Sequence, residues 1–349
     1  MLLSVIIPAR NEEASLPACL ASLISQSEPG FALGQQWELI LINDDSSDRT
    51  REIAAEAAAG HPGITLLDAP ALDLRATQRG FTGKTQACWT GVQHANKSAP
   101  WLLFTDADTV HEPGDLNRCL HEAQKYKVEL LSYSPRQLVT GFWQRALMPL
   151  VFSELSIAYP PRQVNDPGSR IAAANGQFLL VERETYFAVG GHRAVGTSIL
   201  EDVDLAHNVK RSHHAIRFRY APDALSARMY HNLPDMIEGW TKNLALLFSQ
   251  PLWLAFLRLL DLLLIFGLPL IFFWMPLPVY WQQPAILIVW LWVLCRYYAR
   301  VAKSNFSFVD CALSVLGLPL FVFLLMRSWA QHRLFKRVGW KGRTYRTTR

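Results

Sequence analysis

The sequence predicts an α/β domain, a mostly parallel sheet flanked by helices, followed by C-terminal membrane helices. Three observations predict it. Up to about residue 220, short β-branched runs alternate with helical stretches, the pattern of a sheet covered on both faces. Beyond Trp240, apolar segments at about 262–280, 284–298 and 309–326 each approach the roughly 20 residues that cross a bilayer. The charge is also divided: residues 327–349 hold eight Lys or Arg and no acid, more than the whole net charge of +5, so the body before them is slightly acidic.

The expected strands are Leu2–Ile7, Glu38–Ile42, Ile64–Leu67, Trp101–Thr105 and Leu130–Tyr133. The expected helices are Glu12–Gln26, Asp48–Ala59, Lys84–Asn96 and Pro113–Lys125. The first apolar run is stopped by Pro8 and the polar Arg10-Asn11-Glu12-Glu13. It lacks a basic leader and is too short for a signal peptide's core, so it is read as a buried strand. No internal repeat is visible. Half of the 349 residues are hydrophobic and only 18% are charged, which excludes a mainly disordered chain. Five cysteines without any C-x-x-C pair exclude a disulfide scaffold and a zinc ribbon and suit a reducing compartment.

Two regions follow: an α/β domain over 1–240, with an interfacial element near 138–158, and a membrane region over 241–349 ending in the basic tail. The element mixes aromatic, basic and aliphatic residues from Phe142 to Phe152, interrupted by Pro149. Seven of twelve tryptophans lie beyond residue 250, several at the ends of the apolar runs, as does Tyr280. Arg296, Arg300 and Lys303 mark one loop as cytoplasmic, whereas 276–284 has no charge and belongs outside. The basic tail also belongs inside. A break at Gly317-Leu318-Pro319 would reconcile this with the third segment, as a re-entrant hairpin with both ends inside.

Polar clusters fall where the strands end, the side on which open parallel sheets bind ligands. Pro8 to Glu12 follow the first strand, Asn43 to Thr50 the second, and Thr105 to Thr109 the strand from Trp101. One such cluster is ordinary turn and cap chemistry. Three acidic clusters on one edge repel unless a cation or cationic ligand joins them. Asp106-x-Asp108 offers hard oxygen ligands suited to magnesium or manganese shared with a phosphate. Lys84 suits neutralisation of a diphosphate. Gly83-Lys84-Thr85 is not a P-loop, because the first glycine of that motif would be residue 78, which is Gln78. Glu201-Asp202 opens a helical stretch and suits either a cap or a general base at Asp202. Asn175-Gly176-Gln177 has turn chemistry, and His213, His214 and His231 are more ordinary as surface or core histidines than as metal ligands.

Taken together, Ser4 to Glu13, Asn43 to Thr50, Gly83-Lys84, Asp106-Ala107-Asp108 and Glu201-Asp202 resemble the family 2 glycosyltransferases, in family order, over roughly residues 2–225. The resemblance implies a GT-A fold, a nucleotide-sugar donor as co-substrate, a divalent metal (Mg2+ or Mn2+) and inversion at the sugar carbon. By position it implies that Pro8, Glu12 and Asp44 hold the nucleoside, with Arg10 in the same donor-binding set and Asp106 beside it. It further implies that Asp108 ligands the metal and that Asp202 is the catalytic base. Asp45 stands where the family more usually has glycine. The processive members' Q-x-x-R-W is absent. Arg228-Met229-Tyr230, Gly239 to Asn243 and the membrane tail are similar to membrane-bound carotenoid-acid glycosyltransferases of the diaponeurosporenoate type. The expected partners are then a nucleotide-sugar, a lipid-like acceptor and membrane lipids, at the cytoplasmic face of the cell (inner) membrane, with no nucleic acid. A nucleotidyltransferase and a non-catalytic nucleotide-sugar-binding scaffold are the alternatives of other classes.

Overall fold

A computed structural model describes residues 1–26, 28–72, 80–274 and 281–346. Gln78, Tyr280 and the last three residues of the basic tail lie outside the described residues, so the expectations placed on them are not addressed. The chain forms two compact units: residues 1–138 with 161–229, and residues 139–160 with 230–349.

The first unit holds strands β1 Leu3–Ala9, β2 Trp37–Asn43, β3 Ile64–Asp68, β4 Trp101–Phe104, β5 Thr109–His111, β6 Leu130–Ser134, β7 Arg136–Gln137, β8 Leu179–Glu182, β9 Ile216–Tyr220 and β10 Leu225–Ala227. Its helices are α1 Leu16–Ile24, α2 Thr50–Gly60, α3 Gly83–His94, α4 Asp115–Tyr126, then, after α5 Phe142–Ala158 of the second unit, α6 Pro161–Val164, α7 Arg183–Ala188, α8 Gly191–Ala194 and α9 Glu201–Arg211. The main sheet has the order β3-β2-β1-β4-β8-β6-β9. All its pairings are parallel except those of β8, which runs antiparallel between β4 and β6. A small sheet, β5-β10-β7, stands apart.

Each expected strand and helix forms, with ends shifted by a few residues. The strand cores are apolar on both faces: Leu3, Val5, Ile6 and Ile7 of β1 and Leu39 to Ile42 of β2 are buried, as a strand covered by helices on both sides requires. Helix α3 lies against them closely enough that a Cβ on Gly91 would stand 2.6 Å from Ile6 Cγ2 and 2.8 Å from Ile42 Cδ1.

The second unit gathers α5, α10 Leu233–Leu247, α11 Pro251–Trp274, α12 Gln282–Val301, α13 Phe308–Arg333 and a hairpin of β11 Arg337–Trp340 with β12 Arg343–Arg346. The boundary expected at residue 240 falls inside α10, and the expected interfacial element packs with this unit. Among the described residues, three helices are long and apolar enough to cross a membrane: Pro251–Trp274, Gln282–Ser304 and Phe308–Arg333.

One expectation is corrected. The third apolar segment is a single helix that continues through Gly317-Leu318-Pro319, so no re-entrant hairpin forms there. Gly317 is a contact residue: a Cβ on it would run into the Ala146 carbonyl of α5. Pro319 removes one helical hydrogen bond, a loss that a long packed helix tolerates. Pro149 likewise sits inside a continuous α5. The α13 face is fixed by Arg145 Nε on Asp310 (2.6 Å), Tyr297 against Ser314 (2.8 Å) and Ser328 accepting from the Ala245 N–H (2.8 Å). The tail hairpin rests on α10, with Lys242 Nζ 4.4 Å from the Trp340 ring.

The tight seat of α3 makes a specific demand. Gly91→Val should destabilise the protein by about 1–3 kcal/mol, the usual cost of overpacking a filled core. An unchanged thermal unfolding midpoint of the purified protein would show that α3 has room to move outward.

Candidate functional site

The carboxyl ends of β1, β2 and β4 place their polar loops side by side. In the first, Arg10 Nη1 donates to the carbonyls of Asp44 and Asp45, both at 2.6 Å, tying the β1 loop to the β2 loop. The Asn11 side chain accepts from the Ser47 N–H (2.9 Å), and the Glu12 N–H donates to Thr50 Oγ1 (2.7 Å). Asp44 is buried and its N–H donates to the Ala9 carbonyl at 2.8 Å. Asp45 adopts φ 54°, a left-handed conformation that glycine enters without steric cost and aspartate enters more easily than most residues. The departure from the family's glycine therefore leaves the loop shape intact.

Lys84 sits in the first turn of α3, whose start is fixed by Thr82 accepting from the Thr85 N–H (3.2 Å) and by Thr85 Oγ1 donating to the Gly196 carbonyl (2.6 Å). Its ammonium lies 2.7 Å from Asp106 Oδ1 and 3.0 Å from Glu201 Oε1. Burial opposes that charge, but Asp106, Glu201 and Asp202 outweigh it and raise the Lys84 ammonium well above its ordinary value. Lys84 is cationic at every physiological pH.

Asp202 stands in the first turn of α9. Its Oδ2 accepts from the Gly176 N–H at 2.7 Å and its Oδ1 from the Val203 N–H at 2.8 Å. The cap reading does not hold, because the capping position of α9 is Leu200 and carries no side-chain cap bond; Asp202 lines the cleft, where the base reading remains open to it. Burial first, and the Glu201 charge second, push its carboxyl up to about 6 against the opposing pull of Lys84. A Cβ on Gly176 would lie 2.8 Å from Lys84 Nζ, so any larger residue there would push the ammonium from its seat.

Pro8, Lys84, Cys88, Asp106, Gly176 and Asp202 line one narrow cleft open to solvent, together with Glu201, Phe104 and His192. Arg10, Glu12 and Asp44 belong to the adjoining loops rather than to its lining. Asp108 lies across the β4 loop, where Gln177 Nε2 approaches its carboxylate at 3.4 Å and the Arg228 N–H donates to its carbonyl at 3.1 Å. Cys88 is a poor nucleophile, because burial raises its thiol well above the ordinary range. His192 is neutral: burial lowers it to about 4, and it packs 4.5 Å from the Phe104 ring.

A buried chain beneath the β4 loop escaped the sequence reading. Asp115 accepts from or shares a proton with His111 Nδ1 (2.9 Å), His111 Nε2 meets Thr105 Oγ1 (3.1 Å), and that hydroxyl donates to the Gln177 carbonyl (2.8 Å). It fixes the Asp106–Asp108 loop against the Asn175–Gln177 turn. The signal available was the His-x-x-x-Asp spacing, which on its own is an ordinary surface pair.

A divalent metal fits the donor set in one form only. Among the described residues no group of three His, Cys, Asp or Glu is arranged to hold an ion. An all-protein cage is therefore not present. Asp108 supplies hard carboxylate oxygens at the loop that also positions Asp106. One or two carboxylates completed by phosphate oxygens and water is the arrangement Mg2+ commonly takes. His213, His214 and His231 are not grouped with these acids.

Comparison with known proteins bears on the family and the fold. The profile described as Glycosyl transferase family 2 matches residues 4–186. The 4,4'-diaponeurosporenoate glycosyltransferase of Staphylococcus aureus (strain USA300) is 26% identical over 98% of this chain and 88% of its own length. That of the bovine strain RF122 is 25% identical with the same coverage. Among solved structures, the mannosyltransferase PcManGT of Pyrobaculum calidifontis, in complex with GDP-Man and Mn2+, superposes with a TM-score of 0.52, at 15% identity, over 96% of this chain and 87% of its own. That likeness establishes the GT-A type of fold.

The charge arrangement predicts a pH-dependent defect. Lys84→Met removes the cation that holds Asp202 down, so the Asp202 carboxyl should rise further above 6. A carboxyl raised on folding costs stability as pH rises through the interval from its unfolded to its folded value. The variant should therefore lose more thermal stability relative to wild type at pH 8 than at pH 5. An equal loss at both would mean that Lys84 acts through packing alone.

Proposed function

The chain belongs to glycosyltransferase family 2, and from that premise we propose an inverting, metal-dependent transfer of sugar from a nucleotide-sugar donor to a lipid-like acceptor at the cytoplasmic face of the cell membrane. The observation behind this reading is the cleft in which Lys84, Asp106 and Asp202 meet. It pairs a permanent cation for a diphosphate with a carboxylate whose proton affinity is raised towards neutrality.

In this reading Pro8, Arg10, Glu12 and Asp44 bind the nucleoside part of the donor, with Asp106 beside it. Lys84 offsets the charge of the diphosphate. Asp108 holds the divalent ion, Mg2+ or Mn2+, which when bound supplies positive charge to the leaving diphosphate. The acceptor oxygen attacks the anomeric carbon on the face opposite the diphosphate, the bond to the diphosphate breaks with its electron pair, and the configuration inverts. The acceptor's hydroxyl proton passes to the Asp202 carboxylate. A nucleotidyltransferase would leave that base without a task.

The acceptor class rests on two supports: three helices of bilayer length in the same chain, and relatives named for transfer to an apolar carotenoid acid. Orientation follows from the tail. Its hairpin is held on α10, which precedes the first apolar helix, so both lie on one side. The α11–α12 pair then crosses and returns, putting Arg296, Arg300 and Lys303 inside as the positive-inside rule asks. In this reading helix α13, the most buried of the three and packed chiefly on α5, α10 and α11, does not cross.

Asp202→Asn should cut transfer to a hydroxyl acceptor by about 10²–10⁴-fold while nucleotide binding persists. In the wild type, kcat/KM for such an acceptor should fall about tenfold per pH unit below about 6, as the base becomes protonated. With a carboxylate acceptor, already deprotonated, both effects should shrink. Equal loss with both acceptors would assign Asp202 to structure rather than proton transfer.

The metal is tested separately. Asp108→Asn should abolish transfer without unfolding the protein, and full turnover by the wild type in EDTA would refute metal dependence. A reporter fused to the tail should signal the cytoplasm, and an external signal would restore a third crossing.

A further inference from the structure

The largest buried charge cluster outside the cleft lies in the second unit, where Glu154 of α5 meets Arg258 and Asp261 of α11 and Arg296 and Arg300 of α12. Arg258 Nη1 lies 2.6 Å from Asp261 and 3.5 Å from Glu154. Arg300 Nη1 lies 3.7 Å from Glu154 and 3.8 Å from Asp261, and Arg296 pairs with Asp261. Three guanidiniums thus share two carboxylates, leaving a surplus of one positive charge in a poorly solvated place, which is costly unless an anion joins it.

The carboxylates also leave donors unused. Arg258 Nε and Nη1, Arg296 Nε and Arg300 Nη1 make no hydrogen bond, against two unpaired acceptors, Glu154 Oε1 and Asp261 Oδ2, and the Arg258 side chain is only 2% exposed. The Arg296 and Arg300 side chains, 37% and 20% exposed, form the accessible side of the cluster. From this point α11 and α12 continue as an apolar pair, joined by Trp290 Nε1 donating to the Ile265 carbonyl (2.9 Å), with Leu263, Phe266, Leu270, Ile288 and Trp292 exposed. On α11 exposed Leu252, Trp253 and Phe256 carry the uncharged, lipid-suited surface about two turns further, while on α12 the arginines stand in its last turns. That is the level at which a bilayer presents its phosphates, and planar guanidiniums bind phosphate through paired hydrogen bonds.

We propose that the Arg258–Arg296–Arg300 cluster is a binding site for the phosphate of an anionic phospholipid headgroup, with the lipid's acyl chains lying along α11 and α12. The site is independent of the sugar-transfer reading: it requires only that the helix pair be in lipid.

The test uses the full-length protein in nanodiscs of phosphatidylcholine alone or with phosphatidylglycerol, reading lipid retention by native mass spectrometry and thermal unfolding. Wild type should retain phosphatidylglycerol at least tenfold over phosphatidylcholine and gain stability from it. Arg300→Gln, which cancels the surplus charge, should lower that preference about tenfold. Glu154→Gln, which doubles the surplus, should strengthen it. An unchanged far-UV circular dichroism spectrum of each variant confirms that it is folded. The opposite signs separate a headgroup site from a structural ion cluster, whose disruption would move both variants the same way. Equal retention of the two lipids by wild type, or a change of the same sign in both variants, would overturn the proposal. So would inorganic phosphate reproducing the stabilisation in neutral nanodiscs, since a small-ion site needs no lipid.

Discussion

One ammonium group holds the cleft together. Lys84 Nζ bonds Asp106 and Glu201 directly and acts on Asp202 through space. These acids come from the loop after β4 and from the first turn of α9, nearly 100 residues apart, and without a shared cation they would repel one another. Much of the surrounding structure serves to hold that ammonium in place. The Thr82 cap and the Gly196 carbonyl fix the turn that bears it, and Gly176 leaves the space it occupies.

Much of this was legible in the sequence, because it depends on pattern. The strands β1, β2 and β4 are apolar runs ended by polar clusters that mark the binding edge, and β3 and β6 are legible as apolar runs alone. Strand β8 was not legible. It enters the sheet antiparallel between two strands far from it in sequence, and its Leu-Leu-Val run has no turn partner nearby to reveal the pairing.

The site was legible to the same extent. Pro8, Lys84, Asp106 and Asp202 do line one cleft: Pro8 ends the apolar run of β1, Asp106 follows β4, and Lys84 and Asp202 stand in the first turns of their helices. Gly176 acts through an atom it lacks, and no spacing rule reports that. The His111–Asp115 pair looks like surface decoration until the fold buries it beneath Thr105. Gly317-Leu318-Pro319 shows the reverse error: a local breaker signal was overruled by tertiary contact, the glycine being there to admit the α5 backbone.

Helix α5 also sets an order of events. It is made between β7 and α6, in the middle of the α/β unit's sequence, but its charged partner Asp310 lies 165 residues later. During synthesis, at about 5–20 residues per second, its apolar face waits for α13 over roughly ten to thirty seconds. An early membrane encounter or a chaperone would shield it meanwhile. By the same logic, a chain shortened before α13 deprives α5 of its main packing partner, and such a fragment should aggregate rather than behave as a detached soluble enzyme.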